Sequence, residues 1–230
     1  MSDQNSVLAS SVSAQQVSNK VLRNTYALLG ITLIPTVIGA LIGMSMNFSF
    51  AAQHPFIFAI GAMAVLYGLF AAITANRNSS VGVILLLGLT FLLGLMLGPI
   101  LQHALHLRNG GQIVGLAAGG TGIIFLTLAG IATTTKKDFS FMGKFLMVGI
   151  ILLIVASLAN IFLQIPAMTL AMSAVGVILF SGFILYDVSR IVNGGETNYI
   201  MATLSLYMSI YNLFTSLLQL LMGLLGGNND

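Results

Sequence analysis

The chain has 230 residues, of which 57% are hydrophobic and only 6% are charged, and its mean hydropathy is +1.02. Soluble domains carry about 25% charged residues, so an ordinary soluble domain is excluded and a membrane protein is predicted. The sequence contains no cysteine, which excludes disulfides, thiolate catalysis and cysteine-based metal sites.

The first 24 residues are polar, rich in Ser, Gln, Asn and Val, and contain no apolar core like that of a cleaved signal peptide. We expect residues 1–24 to form a flexible cytosolic tail, with a terminus that has no role as the alternative. The connections farther along the chain are all shorter than about 15 residues. Residues 25–230 are therefore expected to form a single transmembrane domain.

Seven apolar runs follow, and each is near the roughly 20 residues that a helix needs to cross the hydrocarbon core. The runs are continuous rather than alternating, which favours helices over barrel strands. Their approximate limits are Tyr26–Met46, Phe56–Ala75, Val81–Gln102, Gln112–Ala132, Lys144–Leu163, Met168–Val188 and Tyr199–Leu225. The sequence thus predicts an all-α membrane protein with a seven-transmembrane-helix bundle.

Lysine and arginine in the short connections set the predicted orientation. With the N-terminus inside, only Arg108 falls outside. The basic residues that fall inside are Lys20, Arg23, Arg77, Lys136, Lys137, Lys144 and Arg190. This bias predicts a cytosolic N-terminus and, after an odd number of helices, a periplasmic C-terminus in the segment GGNND. The net charge of +3 then reflects topology, and no basic patch interleaved with aromatics indicates nucleic-acid binding.

Glycine and proline mark expected helix contacts and breaks. Three pairs have the G-x-x-x-G spacing that lets helix backbones approach: Gly39/Gly43, Gly94/Gly98 and Gly115/Gly119. Pro35 and Pro99 lie within apolar runs and predict kinks. Pro166 suits a tight outer turn between runs five and six.

Charge is concentrated in LYDVSRIVNGGETNY, between runs six and seven, which holds two of the five acidic residues of the chain. Asp187 lies near the cytosolic end of run six, and Arg190 at i+3 makes an ion pair feasible. An ionisable residue within a membrane segment is costly, so Asp187 is a candidate proton or ion switch. An interfacial aspartate satisfied by Arg190 and water is the alternative.

The second half of this stretch is predicted to be a hinge. Its residues are Gly194, Gly195, Glu196, Thr197, Asn198 and Tyr199. The glycine pair suits a helix end and a turn. Thr197 or Asn198 is placed to cap the seventh helix, with Glu196 near its positive end. We therefore interpret Glu196 as a turn residue rather than a catalytic one.

Run seven carries polar residues at spacings i, i+4, i+7 and i+11, which share one helical face. They are Ser205, Ser209, Asn212 and Ser216, and Tyr207 and Tyr211 flank them. Lipid would leave these groups unsatisfied, so the face must meet other helices or a hydrated cavity. Hydrogen bonding between helices is one interpretation, and the lining of an ion path is the other.

Enzymatic motifs are absent from the sequence. His103 and His106 have no further ligands at suitable spacing, so no metal site is predicted. There is no P-loop, H-E-x-x-H or G-x-S-x-G motif. We therefore predict no cofactor and no enzymatic activity.

Six segments resemble the Bax inhibitor-1 superfamily and, more narrowly, its proteobacterial YccA branch. They are VLRNTY (Val21–Tyr26), TANR (Thr74–Arg77), LGPIL (Leu97–Leu101), TTTKKDFSFMG (Thr133–Gly143), ANIFLQIPA (Ala159–Ala167) and GGETNYIMATLSLYMSIYNLF (Gly194–Phe214). The last segment is the most specific, and the resemblance covers nearly the whole chain from Val21 onward. It implies a seven-helix bacterial inner-membrane protein with a cytosolic N-terminus.

The resemblance also implies a partner. The YccA branch is associated with the membrane-anchored AAA+ protease FtsH, both as a substrate and as a modulator that restrains it. In that branch the polar N-terminal tail is the handle by which the protease engages, and Met1 to Lys20 fit such a handle in length. Modulation of FtsH from within the lipid bilayer is therefore the leading functional interpretation.

Other members of the superfamily are pH-sensitive calcium leak channels, with two aspartates that face each other from helices six and seven. Two close carboxylates share a proton, so protonation can gate a path. Asp187 matches the first position, but Ser209 stands at the second, and a serine cannot supply the missing charge for calcium. The alternative function is therefore a calcium or proton leak with an incomplete two-aspartate site. A purely structural membrane scaffold is the third functional interpretation.

Overall fold

The structure is a computed structural model that describes residues 2–135 and 137–226. Lys136 and residues 227–230 of the predicted periplasmic end lie outside the described residues. Within the described ranges the chain is all-helical, as predicted. The helices are α1 (Ser2–Ser45), α2 (Ser49–Gln53), α3 (Pro55–Ala75), α4 (Ser80–Met96), α5 (Gly98–His106), α6 (Gly110–Thr135), α7 (Met142–Leu163), α8 (Pro166–Val192) and α9 (Tyr199–Leu225).

Seven stretches in the described part of the chain are long and apolar enough to cross a membrane, which confirms the seven predicted runs. They are Gln16–Ser45, Pro55–Ala75, Ser80–His106, Gly110–Thr135, Met142–Leu163, Pro166–Val192 and Tyr199–Leu225. The third span is interrupted between α4 and α5, where Pro99 removes a backbone donor. Pro35 lies inside α1 without ending it.

The predicted start of the first helix, near Tyr26, is wrong, because α1 already begins at Ser2. The apolar run marks only the part of a helix that suits hydrocarbon, whereas backbone hydrogen bonds continue through polar residues. Ser18 and Val21 are buried against the bundle, although their surroundings in the sequence are polar. The division into a flexible tail over residues 1–24 and one domain over 25–230 stays a prediction.

Helix α9 lies at the centre of the bundle, where it contacts α8, α6, α1 and α4. Its Leu206, Leu213 and Leu218 are completely buried. Helices α3 and α7 lie at the periphery, against α4 and α8 respectively. They expose large apolar side chains such as Ile60 and Phe162, as helices that face lipid do.

Helices α1 and α4 approach so closely that only glycine fits at their contact. A Cβ atom on Gly39 would overlap the carbonyl oxygen of Phe91. On the facing helix, a Cβ atom on Gly94 would overlap the carbonyl oxygen of Thr36. This contact joins the first and third spans backbone to backbone.

The contact between the first and third spans also includes the second glycine of each of the two predicted pairs. A Cβ atom on Gly98 would overlap the backbone of Gly43, so Gly39/Gly43 and Gly94/Gly98 are confirmed as contact motifs. The prediction for Gly115/Gly119 is wrong. No atom outside the local helix backbone lies within 4 Å of a Cβ built on either of these glycines, because this face of α6 meets no described neighbour.

The basic residues that were predicted to lie inside gather at one end of the bundle. Asn198 donates to the carbonyl oxygen of Arg77, and Ser189 donates to that of Lys137, so one connection meets the start of α9 and the other meets the end of α8. Arg108 follows α5, at the opposite end of the span that begins after Arg77. The distribution agrees with the predicted orientation, which itself stays a prediction.

We predict that Gly39→Ala lowers the free energy of unfolding by about 1–3 kcal/mol, the usual cost of overpacking a well-packed contact. Gly61→Ala in α3 is the control, since a Cβ there meets nothing within 4 Å. Unfolding of the detergent-purified variants by heat or denaturant measures the difference. Equal stability of the two variants would contradict the close contact of α1 with α4.

Candidate functional site

Asp187 is held between the two helices that flank the hinge. It lies in the last turns of α8 and is only 5% exposed. The hydroxyl of Ser205 donates to Oδ1 at 2.8 Å, and the hydroxyl of Ser209 donates to Oδ2 at 3.0 Å. The two serines are one helical turn apart on α9, so each reaches one carboxylate oxygen. The structure thus brings Asp187 together with Ser205 and Ser209.

Arg190 pairs with Glu196 rather than with Asp187, so the ion pair that the i+3 spacing makes feasible is not formed. Its Nη2 lies 3.8 Å from Oε2 of Glu196 and donates to the carbonyl oxygen of Gly195 at 3.3 Å. The guanidinium also lies 5.6 Å from the ring centroid of Tyr186. Asp187 points across to α9, whereas Arg190 reaches past the helix end, and i+3 spacing alone cannot distinguish these directions. The partly exposed Arg190–Glu196 pair contributes at most about 1 kcal/mol.

The glycine pair ends α8 as predicted. Gly194 has φ +75°, in the left-handed region that glycine adopts without strain. Its N–H donates to the carbonyl oxygen of Ile191 at 3.2 Å, and the N–H of Gly195 donates to that of Arg190 at 2.7 Å. These two bonds form a Schellman motif, which turns the chain sharply toward α9.

Asn198, rather than Thr197, caps α9. Its Oδ1 accepts from the N–H of Ile200 at 3.0 Å and from that of Met201 at 3.1 Å. Oε1 of Glu196 accepts from the N–H of Asn198 at 2.9 Å, which agrees with its predicted role in the turn. The cap satisfies two of the N–H groups that a helix start leaves free.

The hinge is tied to three other parts of the chain by contacts that sequence reasoning missed. The hydroxyl of Ser18 in α1 donates to the carbonyl oxygens of Ile191 and Val192 at 2.7 and 2.8 Å. The amide of Asn198 donates to Arg77 O and Asn78 Oδ1, each at 2.8 Å. Such single polar residues in a polar segment or a loop follow no periodic pattern, so no sequence signal marks them.

The loop between α6 and α7 makes the third connection. Ser189 donates to the carbonyl oxygen of Lys137 at 3.1 Å and accepts from the N–H of Phe139 at 2.9 Å. In the same loop, the hydroxyl and backbone N–H of Ser140 hold the pKa of the exposed Asp138 carboxyl below its ordinary value. The C-terminal end of α8 and the hinge therefore hold α1 and two loops around the Asp187 region.

The predicted polar face of α9 divides into two parts. The two serines nearer the hinge, Ser205 and Ser209, donate hydrogen bonds to Asp187, whereas Ser216 packs directly on Gly176 of α8. Two cavities of about 350 and 490 Å³ adjoin this face, and Asn212 lines both of them. The bonds of Ser205 and Ser209 to Asp187 agree with hydrogen bonding between helices, whereas the lining of an ion path stays a prediction.

The two tyrosines lie on other sides of α9. The Tyr207 hydroxyl is 2.7 Å from Oγ1 of Thr36, and the Tyr211 hydroxyl donates to the carbonyl oxygen of Leu93 at 3.2 Å. Their rings stack with centroids 6.2 Å apart. They join α9 to α1 and α4 and take no part in the Asp187 cluster.

The chemistry of the site rests on one carboxylate and two hydroxyls. Such a cluster can hold a proton, but it falls short of the six to eight oxygen ligands that calcium prefers. His106 Nδ1 lies 2.6 Å from the carbonyl oxygen of Gln102 in its own helix. Over residues 2–135 and 137–226, no three His, Cys, Asp or Glu residues lie close enough together to hold a metal. His103 therefore belongs to no such group.

Comparison with known proteins identifies the family. The family described as "Inhibitor of apoptosis-promoting Bax1" matches residues 18–227. An uncharacterised membrane protein of Vibrio cholerae is 45% identical over 213 residues, which cover 93% of this chain and 92% of that protein. The chain therefore belongs to the Bax inhibitor-1 family, as the six resembling segments predicted.

Two further relatives support the narrower resemblance. The modulator of FtsH protease YccA from Escherichia coli K12 is 43% identical over 204 residues, 89% of this chain and 90% of that protein. A protein of the same identity and coverage from Escherichia coli O6:H1 is named inner membrane protein YccA. These names and the seven apolar helices agree with the predicted multi-pass inner-membrane location. The first of the two names describes a modulator of a protease.

We predict that Asn198→Ala destabilises the protein by about 0.5–2 kcal/mol, because it removes the cap of α9, and that it also frees the loop before α4. Thr197→Ala is the matched control, because Asn198 and not Thr197 caps α9. Thermal unfolding and limited proteolysis of the loop before α4 report the two effects. An Asn198→Ala variant as stable and as protected as Thr197→Ala would contradict the assigned cap.

Proposed function

We propose that the protein is a bacterial inner-membrane modulator of the protease FtsH, which it engages through its N-terminal segment. The supporting observation is the 43% identity, over 89% of the chain, to a protein named as a modulator of FtsH. In this proposal the N-terminus lies in the cytosol and the C-terminus in the periplasm, in keeping with the distribution of basic residues.

The packing of α1 suggests how such modulation works. A protease that grips the N-terminal segment pulls on α1 first. That helix is held by Ser18 at the end of α8 and by the glycine contact of Gly39 with α4. Extraction must break both contacts together with the packing of α1 on α9. A bundle that resists extraction occupies the protease and so restrains its action on other substrates.

Deletion of residues 2–15 tests the handle and leaves Ser18 in place. We expect the deletion variant to be degraded more slowly by purified FtsH with ATP, and its thermal unfolding to be unchanged. A control variant, Ser18→Ala, keeps the handle and loses only its hydrogen bonds to α8. Degradation of the deletion variant at the full rate would show that the N-terminal segment is not the handle.

The restraining effect is tested separately, with a second FtsH substrate in the same reaction. The intact protein should slow degradation of that substrate, and the deletion variant should lose this effect. Gly39→Ala keeps the handle but loosens α1, so it should be degraded faster and restrain FtsH less than Gly61→Ala. If all three variants inhibit equally, resistance to extraction is not the mechanism.

A second candidate function is a proton or calcium leak, and the specific observation that favours it is the position of Asp187. This buried carboxylate is hydrogen-bonded by two serines whose face adjoins the two cavities between α7, α8 and α9. An ionisable group at such a depth is a recurrent feature of ion and proton paths.

Flux into liposomes distinguishes this candidate. If Asp187 carries protons, Asp187→Asn should abolish a pH-dependent proton flux, and Thr121→Ala, a buried hydroxyl of α6 that bonds within its own helix, should not. Ser209→Asp adds the carboxylate that the family's channels have, and should add a calcium flux because the site then has two charges. Absence of both fluxes from mildly acidic to mildly alkaline pH would exclude the leak.

A further inference from the structure

An apolar cleft of about 890 Å³ separates α1 from α6, and α9 forms its floor. In the half of the cleft that is nearer the hinge, the lining residues are Tyr26, Gly30 and Leu33 of α1 and Gly122, Leu126 and Gly130 of α6. The volume is in the range of pockets that bind small molecules, roughly 300–1,000 Å³. This cleft is separate from the Asp187 cluster and from the two cavities beside it.

The cleft is open because its glycines face no neighbour. A Cβ atom on Gly30, Gly122 or Gly130 would meet no atom outside the local helix backbone within 4 Å. This is the reverse of the α1–α4 contact, where glycine lets two backbones touch. Side chains along an empty groove lose dispersion contacts, so within a bilayer the groove favours an apolar occupant.

Polar groups mark one end of the cleft. The Tyr26 hydroxyl is buried there and has no hydrogen-bond partner in the structure. Arg23 lies three residues before Tyr26, on the same face of α1, and Lys20 lies three residues before Arg23. Both cations are exposed. Among the residues that the structure describes, one ion pair forms, between Arg190 and Glu196. Arg23 and Lys20 are therefore available to bind another anion.

We propose that this cleft binds one anionic phospholipid. Its phosphate contacts Arg23 and Lys20, the Tyr26 hydroxyl donates to a phosphate or ester oxygen, and an acyl chain lies between α1 and α6. Basic residues at the mouth of a pocket between membrane helices are the recognised chemistry for anionic headgroups. The proposal does not depend on any action on FtsH.

The dimensions agree with a lipid. An acyl chain crosses half of a hydrocarbon core that is about 30 Å thick. Half of that thickness corresponds to about ten helical residues at 1.5 Å each, which reaches from Tyr26 to about Thr36. A helix of a partner protein, or of a second copy, would also fill the cleft. An apolar helix, however, would bring no counter-charge to Arg23 and Lys20.

Photolabelling of the full-length protein tests the proposal. The probe is phosphatidylglycerol with a photoreactive acyl chain, at trace level in phosphatidylcholine nanodiscs, and labelled residues are located by mass spectrometry. We expect labels on the cleft faces of α1 and α6. Unlabelled phosphatidylglycerol should compete better than phosphatidylcholine, and Arg23→Gln should reduce this preference about fivefold. Arg77→Gln, at the same end of the bundle but outside the cleft, should leave it unchanged.

A second pair of variants tests the groove itself. Gly122→Leu fills the cleft and should strongly reduce labelling, whereas Gly68→Leu, an equally open position on α3, should not. Circular dichroism confirms that both variants are folded. Labels spread evenly over the lipid-facing surface, equal competition by both lipids, or labelling that Gly122→Leu leaves unchanged would each overturn the proposal. A Gly122→Cys variant that crosslinks to a second copy or to another protein in native membranes would also overturn it.

Discussion

Lipid offers no hydrogen bonds, so each polar group within a membrane needs a partner from the protein. This constraint acts most strongly on α9, which has the lowest mean hydropathy of the seven spans, 1.5. Ser205 and Ser209 are satisfied by Asp187 on α8, and Tyr207 and Tyr211 by groups on α1 and α4. A helix with such groups on several sides cannot face lipid, so it takes the centre and the other helices are arranged around it.

Helix α1 has two contrasting sides. Toward α4, Gly39 brings the two backbones into contact, and toward α6, Gly30 faces an open cleft. The helix that carries the proposed protease handle is thus packed closely against α4 but not against α6. A lipid in the cleft would pack on the other side. Resistance to extraction would then depend on the bilayer as well as on the protein, since the occupant adds contacts that must also be broken.

Much of the fold could be predicted from the sequence, because hydropathy reports directly on membrane segments. The third span and its break at Pro99 illustrate this. The start of α1 could not be predicted from hydropathy, because helical hydrogen bonds continue beyond the apolar run. Ser18, in that extension, is held by the end of a helix that is distant in the sequence. Glycine spacing was an incomplete guide as well. Gly94 meets α1 whereas Gly115 meets nothing, and only the path of the neighbouring helices decides between them.

The candidate site shows the same division. Ser209 could be placed opposite Asp187 from the family resemblance, but the partner of Arg190 depended on side-chain direction, which spacing does not encode. The missed contacts of Asn198 with the loop before α4 join residues more than a hundred positions apart. The open cleft between α1 and α6 likewise has no signal in the sequence, because an absence of packing is a property of the assembled bundle.

The cluster around Asp187 also bears on what a single carboxylate contributes. Each of its oxygens accepts a hydrogen bond from a different turn of α9, so the residue fixes the rotation of α9 against α8 even when no ion is bound. A second aspartate in place of Ser209 would bring a like charge to the same point, and the two helices would then need a shared proton or a cation to stay together. The serine removes that need. The hinge contact in this chain is therefore made without an ion, and a proton on Asp187 would turn one of the two accepting oxygens into a donor.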